Sequence, residues 1–86
     1  MIISNQIRAA RGLLNWSAED LAERSGVGIA TIRRMERGVG IPQSRTRTLI
    51  DIQKALEAAG VEFVGTPQDG PGVRLWQKPP AKKRGG

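Results

Sequence analysis

Ile3, Ile7, Ala10 and Leu14 recur at three- and four-residue intervals with Arg8 and Arg11 alongside, a period that predicts a first helix over residues 3–14. Gly12 weakens its last turn. Trp16-Ser17-Ala18-Glu19-Asp20-Leu21 then reads as a helix start. Ser17 is the expected N-cap, Asp20 completes a capping box in place of the usual Glu, and Trp16 with Leu21 forms a hydrophobic staple. This second helix should end near Ser25-Gly26, where glycine permits the left-handed backbone of a tight turn. A third helix is predicted from Gly28 or Ile29 to Arg37-Gly38. The two glycines and proline of Val39-Gly40-Ile41-Pro42-Gln43 forbid its continuation. Ser44 is the candidate N-cap of a fourth helix through Ala59, with Leu49, Ile52, Ala55, Leu56 and Ala59 along one face and Gly60 ending it.

Beyond Gly60 the pattern changes. Val61-Glu62-Phe63-Val64 and Val73-Arg74-Leu75-Trp76 are rich in β-formers and flank a segment, residues 65–72, dense in turn formers. They predict a β-hairpin with a long loop. A lone two-stranded hairpin is marginal in water, so it must pack on the helices or pair with another chain. Residues 78–86, KPPAKKRGG, read as a disordered basic tail. The expected fold is therefore mainly α: a compact bundle of about four helices containing a helix-turn-helix, followed by a C-terminal β-hairpin.

Length and composition narrow the chemistry. A chain of 86 residues buries one modest core. With neither cysteine nor histidine, disulfides, thiolate metal sites and the commonest general base are all excluded. The eight acidic residues are scattered or placed for helix capping and pairing. No catalytic residue, metal site or cofactor is expected, and the chain does not read as an enzyme. The net charge of +6 points to a polyanionic partner, with plain solubility as the alternative. Its distribution favours the partner: residues 17–25 carry a net −2 and residues 29–48 a net +4. No apolar run is long enough to span a bilayer, and the N-terminus lacks the regions of a signal peptide. No membrane role is expected, and the cytoplasm is the expected location.

Counted from Ala18 as first, Leu21 is fourth, Ala22 fifth, Gly26 ninth, Val27 tenth, Ile32 fifteenth and Met35 eighteenth. Each answers a mechanical need of two helices crossing at a tight turn. Ala22 is small enough for close approach, Gly26 makes the turn, and Leu21, Val27, Ile32 and Met35 fill the wedge. Any one match is commonplace; six in register are specific. The third helix can be resolved further by geometry. At about 100° per residue, Ala30, Arg33, Arg34 and Arg37 fall within an arc of about 100°, opposite Ile32 and Met35. Ile29 flanks this basic arc. A merely solvated face would more often mix in glutamate or lysine at pairing spacing.

With these residues in register, the stretch from Gln6 to Leu56 resembles the helix-turn-helix domain of phage repressors and Cro proteins, the XRE family. The resemblance is carried by Ile7, Arg11, Trp16-Ser17-x-Glu19-Asp20-Leu21-Ala22, Ser25-Gly26-Val27, Thr31 through Gly38, Pro42, Leu49, Ile52, Ala55 and Leu56. Three features depart from it. Ala18 stands where glutamine is frequent, Gly28 stands where Ser or Thr usually caps the third helix, and Pro42 to Leu49 is about two residues longer than the family's segment. The resemblance implies a sequence-specific transcriptional regulator of a bacterium or phage, bound to double-stranded DNA through the third helix. Residues 1–60 would form the DNA-binding domain, 61–77 the hairpin and candidate dimerisation element, and 78–86 the tail.

In a recognition helix the N-terminal residues meet base edges in the major groove. Arg33 or Arg34 is accordingly expected to read a guanine, both being candidate base readers, with Ile29, Ala30 and Thr31 as apolar or hydroxyl contacts. Arg37, Arg45 and Arg47, with Ser17 and Ala18 at the start of the second helix, are expected at phosphates. The resemblance implies a structural ion pair between Arg11 and Glu36. Such domains bind palindromes as homodimers, and Val61, Phe63, Val73, Leu75 and Trp76 are the candidate interface residues. The alternative reading is an antitoxin-like module that neutralises a protein partner, with DNA binding as autoregulation.

Overall fold

In the computed structural model, which describes residues 2–38 and 40–76, four helices precede a hairpin. They are α1 (Ser4–Leu14), α2 (Ala18–Ser25), α3 (Ile29–Glu36) and α4 (Thr46–Ala58), followed by β1 (Val61–Thr66) and β2 (Asp69–Leu75). The mainly helical architecture agrees with the periodicity. The basic tail at 78–86 lies outside the described residues.

The local signals for helix ends hold at α2. The Asp20 N–H donates to the Ser17 hydroxyl oxygen at 3.0 Å, and the Ser17 N–H donates to the Asp20 carboxylate at 2.9 Å. Gly26 closes that helix at φ +75°, its N–H donating to the Ala22 carbonyl at 2.9 Å. The start of α4 differs from expectation. Arg45, with φ −67° and ψ 145°, is its N-cap, and no side chain caps it. The first carbonyl of the ladder is that of Arg45, which accepts from the Leu49 N–H at 3.2 Å. Ser44 stays in the loop because the backbone is still extended at the residue after it.

Ile7 and Ala10 of α1, Leu21 of α2, Ile32 and Met35 of α3, and Leu49, Ile52 and Leu56 of α4 form one core with Ile2 and Val61. The hairpin closes one side of it. Its strands are longer than predicted and its turn shorter, with Pro67 and Gln68 alone between the paired residues Thr66 and Asp69. Gly65 makes the difference. At φ +76° it forms a bulge between Val64 and Thr66, and a Cβ there would lie 2.1 Å from the Gly70 carbonyl oxygen. Glycines that read as loop formers are thus strand residues.

Register sorts the hairpin side chains into two faces. Val61, Phe63 and Val73 pack on the helical core, and Val61 is only 3% exposed. On the outer face Trp76 Nε1 donates to Glu62 at 3.0 Å, while Arg74 lies 3.6 Å from the same carboxylate. Of the five residues expected at a subunit interface, Leu75 and Trp76 keep the most surface, at 36% and 41% exposed. Val61 already belongs to the core of its own chain.

One buried side chain ties the hairpin to α1. Gln6, 4% exposed, donates through Nε2 to the carbonyls of Gly72 at 2.8 Å and Val64 at 3.3 Å. Its Oε1 accepts from the Ile3 N–H at 3.0 Å. Replacing Gln6 by leucine keeps the bulk but leaves the buried Ile3 N–H without its acceptor and removes the link to the hairpin carbonyls, at a cost of about 1–3 kcal/mol. Urea denaturation of Gln6→Leu should report this loss; a midpoint equal to that of the wild type would refute the tether.

Candidate nucleic-acid interface

The third helix has eight residues, too few to be stable alone in water. Its surroundings hold it at both ends. At the turn, the Ser25 hydroxyl donates to the Leu21 carbonyl at 2.7 Å and accepts from the Val27 N–H at 3.2 Å. At the C-terminus, α1 supplies donors for carbonyls that lack helical partners. The Ser4 hydroxyl donates to the Met35 carbonyl at 2.5 Å. Arg8 donates to the Glu36 carbonyl and, at 2.8 Å, to the Gly38 carbonyl. These are favourable partners at the negative end of a helix dipole.

Arg11 completes the dock. Its Nε and Nη2 donate to the two Glu36 carboxylate oxygens, each at 2.8 Å, and Nη1 donates to the Trp16 carbonyl at 2.9 Å. Glu36 is 9% exposed, and the Arg11 side chain 23%. The hydrogen bond that Arg11 donates to Glu36 raises the Arg11 pKa above its ordinary value, against the opposing effect of burial. A raised guanidinium pKa contributes stability that is complete below its unfolded value and fades only as pH climbs through the folded one. From the arginine side, the pair is therefore intact throughout neutral pH.

On the opposite side of α3, Ala30, Arg33, Arg34 and Arg37 are exposed, and Ile29 and Thr31 are half-buried. The cylinder divides as the helical period predicts, with Ile32 and Met35 inward. Among the described residues, two of the three arginines have side-chain hydrogen bonds within the chain. Arg33 Nη2 meets Glu19 of α2 at 2.5 Å, and Arg34 Nη1 donates to the Gln43 carbonyl at 3.0 Å. Arg34 and Arg45 line one open polar hollow of about 550 Å³, with Thr31, Gln43, Ser44 and Thr48 around it. Arg47 is not in this group. It is turned along α4 to Asp51 at 3.1 Å. Ser17 is exposed and Ala18 half-buried at the N-terminus of α2.

A small-residue turn between two helices, the second fastened at its end and basic on its free side, meets the requirements of a helix-turn-helix. The helix-turn-helix family model matches residues 7–63, well over half of the chain. The chain belongs to the helix-turn-helix family, of the XRE type. The family is a DNA-binding one. Comparison with curated proteins finds no match. The family match runs into β1, so the first hairpin strand is continuous with the unit that α1 to α4 build. No helix among the described residues is long and apolar enough to cross a membrane.

Ser4, Gln6, Arg8, Glu19 and Gln43 all support this helix-turn-helix protein's fold or its basic face, and sequence reasoning assigned none of them those roles. Their partners lie 9 to 66 residues away in the chain, beyond any local period. The weak cap at Gly28 is not forced by crowding. Its φ of −60° suits any residue, and a Cβ would meet nothing within 4 Å.

Magnitudes separate the two ion pairs of α3. Glu36→Ala leaves a largely buried guanidinium without its carboxylate and should cost about 2–4 kcal/mol, somewhat under the full range for a wholly buried pair. Glu19→Ala breaks an exposed pair and should cost under about 1 kcal/mol. Thermal melts of the two variants check the ordering, and equal losses would contradict it.

Proposed function

We propose that this helix-turn-helix protein is a sequence-specific transcriptional regulator that reads a palindromic operator as a dimer, with α3 in the major groove. The observation that carries the reading is the exposed arc of Ala30, Arg33, Arg34 and Arg37 on a helix whose other side is locked to α1. Arginine offers a bidentate partner to guanine O6 and N7. Arg34 and Arg33 are the readers, and Ile29, Ala30 and Thr31 make the neighbouring apolar and hydroxyl contacts. Arg37 and Arg45 hold phosphates, joined by Ser17 and the N-terminus of α2 at Ala18. Arg47 adds a further phosphate contact on leaving Asp51. The protein acts in the cytoplasm of its bacterial or phage-infected host, by occupying operator DNA.

Dimerisation rests on the hairpin's open end, beside the end of α4. Leu75 and Trp76 are large, exposed and adjacent, and beside them Phe63 and Val73 retain partial exposure. Sedimentation of the double variant Leu75→Ser, Trp76→Ser should give a monomer where the wild type gives a dimer. A variant that remains dimeric removes the hairpin as the joint. A wild type that is monomeric at all concentrations leaves this surface to a protein partner, the antitoxin-like alternative.

In vitro selection at one physiological salt concentration tests DNA reading. The expected product is a palindromic motif, and uniform salt-sensitive affinity for every sequence would overturn the proposal. Arg34→Ala should relax preference at one base position by about 1–3 kcal/mol, whereas Arg37→Ala should weaken all sequences alike and lower the salt slope by about 1.

A further inference from the structure

Glu19 is the second residue of α2, and its carboxylate crosses the turn to meet Arg33 Nη2 at 2.5 Å. Both side chains are about three-fifths exposed, at 63% and 60%. Exposed pairs of this kind contribute little to folding, so stability does not account for an acid placed on a surface that otherwise presents arginine. DNA reading offers an account. A guanidinium has five N–H donors in a planar fork. The contact to Glu19 uses one hydrogen of Nη2, leaving its other hydrogen to act in parallel with that of Nη1 or Nε. Arg33 can therefore keep its carboxylate and still present two parallel donors to a guanine edge.

A closed Arg33–Glu19 pair is neutral. It gives a phosphate no net charge to neutralise and releases no counterion. The acid thus affects the two kinds of DNA contact differently. It withholds Arg33 from phosphates, which every sequence offers, and it limits the directions in which the guanidinium can point, which only a correctly placed base rewards. Arg34, whose partner is the uncharged Gln43 carbonyl, and Arg37 carry no such restraint from a carboxylate in the hydrogen bonds of the described residues.

We propose that Glu19 is a specificity-determining positioning residue, which suppresses non-specific binding by holding Arg33 off phosphates while aiming it at a base. This rests on the reading of α3 as the recognition helix. The test compares the full-length wild type, Glu19→Gln, Arg33→Ala and the double variant on a selected operator and a random duplex across a salt series. Glu19→Gln should bind random duplex several-fold more tightly, with a log–log salt slope steeper by about 0.9, the increment for one added phosphate contact. Its operator-to-random affinity ratio should fall by roughly tenfold, within the range for one lost base discrimination. In the Arg33→Ala background the same substitution should leave the slope unchanged. Glu19→Ala should reproduce the result, and melts matching the wild type confirm that the fold is intact. An unchanged slope and ratio, or an equal change with and without Arg33, overturns the proposal while a selective wild type keeps the functional reading. A wild type with no preference between the duplexes overturns both.

Discussion

The bidentate pair between Arg11 and Glu36, with the Ser4 and Arg8 contacts beside it, is the constraint on which the basic surface of α3 depends. An eight-residue helix that leaves half its circumference exposed has only the other half for packing. Here Ile32 and Met35 fill that half. Arg33 and Arg37 are also spaced so that their charges repel along the helix, as are Arg34 and Arg37, each worth a few tenths of a kcal/mol. A pair several times stronger, anchored in the neighbouring helix, outweighs that repulsion. The basic face can therefore be dense in arginine without unwinding the helix that carries it.

Helix α1 is the hub of the molecule. At about 100° per residue, Ser4, Arg8 and Arg11 form one stripe, which meets α3, while Gln6 lies on the far side and meets the hairpin. Between these polar sectors Ile7 and Ala10 enter the core. One short helix thus positions two surfaces, the basic arc and the hairpin end.

Charge is arranged with the same economy. The buried acid, Glu36, maintains structure, and the exposed acid, Glu19, lies across from the basic arc. Both contact arginines at short range, but burial gives them different weight. Water screens the exposed pair and leaves it open to exchange, while burial of the Glu36 carboxylate keeps the other pair closed.

Helix number, the capping box at Ser17 and Asp20, the turn at Gly26 and the two sides of α3 were legible in the residues, because each depends on neighbours within about one helical turn. The pairing of Arg11 with Glu36 was legible only through the family resemblance. The short hairpin turn was not legible at all: glycine signals a loop, yet Gly65 at positive φ serves a bulge inside a strand. Nor could the chain order reveal that Gln6 holds the hairpin, that Ser4 and Arg8 close the end of α3, or that Glu19 meets Arg33. By itself the sequence determined the elements and the apolar and basic sides of the third helix, since side-chain period and capping are local. Only the tertiary structure decided which polar groups meet across elements, because those contacts depend on how separate elements pack, which no local period encodes.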